Sequence, residues 1–120
     1  MAVTNLTITS LAASEFQDTS NANASIVIKG SSGTLYLVYV DNTANGAISY
    51  VKLYNTAGAV TVGTTVPDWV FQVTASIVQP IVFAPGIAFS AGLQVATVTA
   101  GGTGGVTSPS SAVIVRIVYT

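Results

Sequence analysis

From Trp69 to Val115 no side chain can carry a charge, yet this long uncharged stretch cannot be one helix. Pro80, Pro85, Gly86 and Gly92 fall inside it; the prolines remove donors from the hydrogen-bond ladder that a helix in lipid needs, and the glycines disfavour helix through backbone entropy. Its apolar residues are mainly Val, Ile and Phe, which with the interspersed Thr suit a pleated, half-buried surface. Gln72, Thr74, Ser76, Gln79 and Gln94 recur through it, as they do where strands keep one face in water. No basic flank or aromatic belt brackets the segment. A membrane is therefore not expected as a partner, and the stretch is expected to be sheet.

Turn signals divide the rest of the chain in the same way. Alternation predicts a strand over Val3 to Thr9, and the polar run from Ser14 to Asn21 reads as a loop. A strand is predicted over Ser25 to Lys29, stopped by Gly30-Ser31-Ser32-Gly33. Thr34 to Asp41 is apolar at both parities and reads as a central strand. Asn45-Gly46 predicts a hairpin into a returning strand, Ile48 to Tyr54. A short strand is expected at 59–62, then strands at Trp69 to Thr74 and Ile77 to Phe83, the latter made an edge or bulged strand by Pro80. Pro85-Gly86 reads as a turn before a short piece at Ile87 to Phe89, and further strands follow at Leu93 to Thr99 and Ala112 to Tyr119. About eight strands and no amphipathic helix predict one all-β domain over residues 1–120, an antiparallel, jelly-roll-like β-sandwich. Residues 1–32 are expected to supply a contact arm and loop.

Little here can do chemistry. The chain has no histidine and no cysteine, which removes the commonest general base, the thiolate nucleophile, disulfides and thiolate metal sites. Glu15 and Asp18 read as an exposed acidic pair, not a hydrolytic dyad. Asp18, Asp41 and Asp68 lack the spacing of a calcium loop. Gly101, Gly102, Gly104 and Gly105 open no helix and precede no Lys-Ser/Thr, so this run is not a phosphate loop; it is expected to be flexible unless something contacts it. The opening Met1-Ala2-Val3-Thr4 does not read as a signal peptide. No enzyme activity, cofactor or metal is expected. With three cations in the chain, nucleic acid is not expected as a direct partner either.

Only 6% of residues are charged, against about a quarter in an ordinary soluble domain, where such charges keep surfaces apart. A chain so poor in charge is expected to live packed against other protein. Tyr50, Lys52 and Tyr54 share one face of a predicted strand, and read either as sheet packing with polar tips at the rim or as an aromatic contact patch. Trp69 reads first as a core plug, with a glycan platform as the rarer role. Candidate contact residues are thus Tyr50, Lys52, Tyr54, Glu15, Asp18, Gly101, Gly102, Gly104 and Gly105.

The runs Thr64-Thr65-Val66-Pro67 and Ile81-Val82-Phe83-Ala84-Pro85-Gly86-Ile87-Ala88-Phe89-Ser90-Ala91-Gly92-Leu93, with Tyr50-Val51-Lys52-Leu53-Tyr54 before them and Val113-Ile114-Val115-Arg116-Ile117-Val118-Tyr119 at the end, give residues 33–120 a pattern that resembles small all-β virion proteins of tailed bacteriophages, among them head decoration (cement) proteins. The resemblance is one of pattern, without a binding motif to carry over. It implies a structural subunit on the outer capsid surface, assembled in a bacterial cytoplasm, with the major capsid protein and its own copies, as a homotrimer, for partners. The alternative it leaves open is a tail- or fibre-associated module, or a β-sandwich that binds host glycans.

Overall fold

The computed structural model describes residues 12–120. Eight strands fill them: β1 (Ser14–Asn21), β2 (Ile26–Lys29), β3 (Gly33–Asp41), β4 (Ser49–Tyr54), β5 (Trp69–Val73), β6 (Val78–Phe89), β7 (Leu93–Val98) and β8 (Val113–Tyr119). They form two four-stranded antiparallel sheets, sheet I in the order β1-β8-β3-β6 and sheet II in the order β2-β7-β4-β5. β1 pairs with β8, β2 with β7, β3 with β6 and β4 with β5. That nesting is a long hairpin rolled up on itself, and two further pairings, β3 with β8 and β4 with β7, close each sheet. The result is the expected β-sandwich, in jelly-roll order.

Alternation puts the core between the sheets. Leu35, Val38 and Val40 of β3 and Val113, Val115 and Ile117 of β8 point inward from sheet I. Val51 and Leu53 of β4, Val73 of β5 and Leu93 and Val95 of β7 meet them from sheet II. Each of these is fully removed from water, which stabilises the fold by roughly 1.5–3 kcal/mol per side chain.

Four sequence expectations need correction. Ser14–Asn21 is strand β1, not a loop; it lies at a sheet edge with Phe16 turned to the core, while Glu15 and Gln17 point outward and make the run look polar. Residues 14–29 therefore belong to the sandwich and are no separate arm, and the strand expected at Val3 to Thr9 lies outside the described residues. Asn45-Gly46 does not make a β3–β4 hairpin, because β3 already has β6 and β8 on its two sides and β4 has β5 and β7. The chain instead crosses between sheets, turning at Asn42–Asn45. There the buried Asn42 amide nitrogen donates to the carbonyls of Ala47 and Thr74 (both 3.1 Å), and its oxygen accepts from Asn45 (3.0 Å) and Ser49 (2.9 Å). Residues 59–62 form no strand; the chain turns there, with the amides of Thr64 and Thr65 both donating to the Thr61 carbonyl.

Pro85-Gly86 is the fourth. β6 runs through it as one strand, and Leu35 pairs with Ile87 while Leu37 pairs with Val82, so the extra residues bulge opposite Tyr36. Gly86 has a φ of +126°, and a Cβ there would press on Thr34 and the Tyr36 ring. The irregularity reaches the other side of β3 as well, where Leu35 pairs with Tyr119 and Leu37 with Val118, so that Tyr36 is the extra residue against β8. Pro80 lies on this edge, as expected.

Candidate interaction surface

The outward faces of the two sheets are treated differently. On sheet II, β4 and β7 present Tyr50, Lys52, Tyr54, Gln94, Ala96 and Val98 away from the core, yet all except Tyr50 are buried. The two long connections, 55–68 and 99–112, fold over this face, and each is held by one polar side chain rising from a central strand. The Lys52 ammonium donates to the carbonyls of Gly102 (2.6 Å), Gly105 (3.0 Å) and Thr103 (3.3 Å), matching its three protons with three acceptors. Burial pushes its pKa below the ordinary lysine value. The Gln94 amide donates to the carbonyls of Thr56 (3.1 Å) and Gly58 (2.6 Å). Gly101 lies flat on the Tyr50 ring, where a Cβ would come within 2.8 Å of two ring carbons.

These contacts revise the sequence reading of that face. Lys52 and Tyr54 are 0% and 1% exposed, so neither belongs to a contact patch, and Tyr50 is half covered by Gly101. The Tyr54 hydroxyl is buried without a hydrogen-bond partner among the described residues, and burial raises its pKa. The 101–105 run is held by Lys52 instead of being loose, leaving Gly102 and Gly104 as its exposed points. Trp69 packs against the core. Glu15 is exposed on the outward face of β1. Asp18 sits where β1 loses register with β8, accepting from the amide of Ser20 and the side chain of Asn21. The structure thus brings Tyr50, Lys52 and the glycine run together, but as a closed roof, with Glu15 and Asp18 on the other sheet.

Sheet I has no such roof among the described residues. Outward from its two central strands point Leu37, Tyr39 and Asp41 of β3 and Ile114, Arg116 and Val118 of β8, all half-buried. The edge strand β6 continues the face with Val78, Pro80 and Val82, of which Val82 is 71% exposed. An antiparallel sheet with one wet side normally alternates apolar with polar; here the wet side is largely apolar. Arg116 is the one cation on it among the described residues, lying over the Tyr39 ring at 5.3 Å and donating to the Gln17 side chain (3.1 Å). Sequence reasoning missed this surface, although its signal was present. Strands apolar at both parities require cover on two sides, and a two-layer sandwich covers each sheet on one.

A cleft of 240 Å³ opens at the end of the sandwich beside Asn45, Ile48, Ser49, Thr99 and Pro109. Its side-chain polarity is already engaged: Asn45 bonds to Asn42 and the Ser111 backbone, and Ser49 donates to Asn42. Among the described residues no three of His, Cys, Asp and Glu come together in a way that holds a metal ion. The aspartates secure local backbone instead: Asp41 accepts from the Thr43 amide and hydroxyl, which lowers its pKa, and Asp68 accepts from the Asn55 amide (2.6 Å). Among the described residues no helix is long and apolar enough to cross a membrane. Comparison of the chain with protein-family models, with curated proteins and with solved structures finds no significant match.

Proposed function

We propose that this protein is a non-enzymatic structural subunit of a bacteriophage virion, a capsid decoration protein that bridges neighbouring capsid subunits. The observation that carries the reading is the outward face of sheet I. In a chain with 6% charged residues, a row of apolar side chains from Val118 through Leu37 to Val82 is uncovered among the described residues, and a contiguous apolar patch of this kind marks a site of contact with other protein. The jelly roll is an architecture that viral capsid domains use, though lectin domains and cupins share it, so the fold alone is an analogy. The mechanism is passive: area buried at subunit junctions opposes the pressure of packaged DNA, and binding to the assembled shell stabilises it by mass action. The shell-facing elements are proposed to be the exposed tips, Gly101 to Ser111 among them.

Gold-conjugated antibodies against the protein, applied to particles from a lysate that produces it, test this. Label over the heads is expected. Label confined to tails moves the role to tail assembly, and unlabelled particles overturn the virion reading.

A further inference from the structure

We propose that the outward face of sheet I binds a second copy of this chain, face to face about a two-fold axis; this names a partner for the surface on which the proposed function rests. The argument is the arrangement of charge. Arg116 pairs across the ladder with Tyr39, and Ile114 pairs with Asp41. All four side chains point outward, so they mark the corners of a rectangle with Arg116 and Asp41 on one diagonal and Tyr39 and Ile114 on the other. The diagonal neighbours are about 7–8 Å apart.

A two-fold axis lying in the interface, close to the Tyr39–Ile114 diagonal, exchanges the Arg116 and Asp41 positions. Arg116 of one copy then faces Asp41 of the other, and the reverse pair forms at the same time. A two-fold contact requires this self-complementarity, residue i meeting j while j meets i. Tyr39 and Ile114 each meet their own symmetry mate near the axis, and the apolar residues Leu37, Val118, Val78 and Pro80 are covered around them. The trimer that the resemblance implies would set two different patches against each other, a pattern this face does not carry.

Four strands and three outward rows give a flat area of about 19 by 20 Å, or ~400 Å² per copy. Interfaces at the low end of the size range are transient, so a dimer with a dissociation constant in the micromolar range is expected. A weak contact of this kind is read best by trapping it. The chain has no cysteine, so Ile114→Cys supplies a single thiol beside the proposed axis. Under mild oxidation the variant is expected to form a disulfide-linked dimer. Adding Val78→Lys, an outward change on an exposed edge position, should reduce the linked fraction at least tenfold, while the far-ultraviolet circular dichroism stays that of the parent.

Sedimentation of the unmodified chain across concentrations gives the second readout. A monomer–dimer equilibrium supports the proposal. A trimer, or a monomer at every concentration with no linkage of the cysteine variant, overturns it. Dimer that appears only after deletion of residues 2–11 also overturns it, because the chain's own N-terminal segment then covers the face. Failure here is separable from failure of the virion reading: labelled heads with a monomeric protein sink the two-fold contact alone, and a trapped dimer with unlabelled particles sinks the decoration role alone.

Discussion

Tyr54→Phe should make this protein more stable, an unusual outcome for a change in its interior. Tyr54 is 1% exposed, and its hydroxyl has no hydrogen-bond partner among the described residues. A buried polar group left unmatched costs about 1–3 kcal/mol, because the water it bonded in the unfolded chain is not replaced. Removing the oxygen leaves a gap of about 10–15 Å³, which at ~24 cal/mol per Å³ costs about 0.3 kcal/mol. The balance is a gain of roughly 0.7–2.7 kcal/mol, or a rise in Tm of roughly 2–15 °C for a domain of this size.

The alkaline limb gives an independent reading of the same hydroxyl. Burial raises the Tyr54 pKa, so above pH ~10 the unfolded chain gives up this proton while the folded chain keeps it. The unfolded state then binds fewer protons, and stability falls with rising pH by up to about 1.4 kcal/mol per unit. Phenylalanine removes that contribution. Urea unfolding of both proteins at one concentration, at pH 7 and at steps from pH 9 to 11, should show the variant ahead at neutral pH and further ahead at high pH. A variant less stable by more than about 1 kcal/mol, with the same alkaline slope as the parent, would mean that the hydroxyl has a partner and would refute the reasoning.

Lys52→Met removes the donor that holds Gly102, Thr103 and Gly105. Three charge-assisted bonds are lost, but the ammonium no longer has to be desolvated, so the net loss is expected to be about 1–3 kcal/mol. Hydrogen exchange should speed up at 101–105 while β4 and β7 stay protected; equal loosening of the strands would show that the roof is not a separate element. Burial lowers the Lys52 pKa, so between its folded value and the ordinary lysine value the unfolded chain binds the extra proton and stability rises with pH through this group. The variant should lack that rise in a titration of its unfolding free energy. Asn42→Ala strips the inter-sheet corner of an acceptor for Asn45 and Ser49 and a donor for two carbonyls. It is expected to cost about 3–5 kcal/mol in urea unfolding, and a loss below about 1 kcal/mol would show that the corner does not depend on this amide.

Much of the architecture was legible because strand alternation and turn chemistry are local. β3, β4, β5, β7 and β8 lie close to where period-two patterning and Gly/Pro punctuation put them, and Pro80 marked an edge because proline cannot donate to a second ladder. Pairing was not legible. Asn45-Gly46 is a strong local hairpin signal, but which strand returns beside β3 depends on which sheet has room, and β6 and β8 occupy both sides. The same holds for the polar look of Ser14–Asn21, an edge strand whose one apolar inward anchor, Phe16, has meaning only once β8 lies beside it.

The candidate residues divide along the same line. Sequence alone determined that Tyr50, Lys52 and Tyr54 share a face, that only 6% of the residues are charged, and that β3 is apolar on both sides. Only the tertiary structure decided which outward face is covered. The connections 55–68 and 99–112 close over sheet II, where Lys52 and Gln94 meet their carbonyls, and among the described residues sheet I is left open, with Arg116 between Tyr39 and Gln17. A face is fixed by the geometry of a strand, whereas its cover comes from segments distant in the chain, and their placement depends on long-range hydrogen bonds that no local pattern encodes.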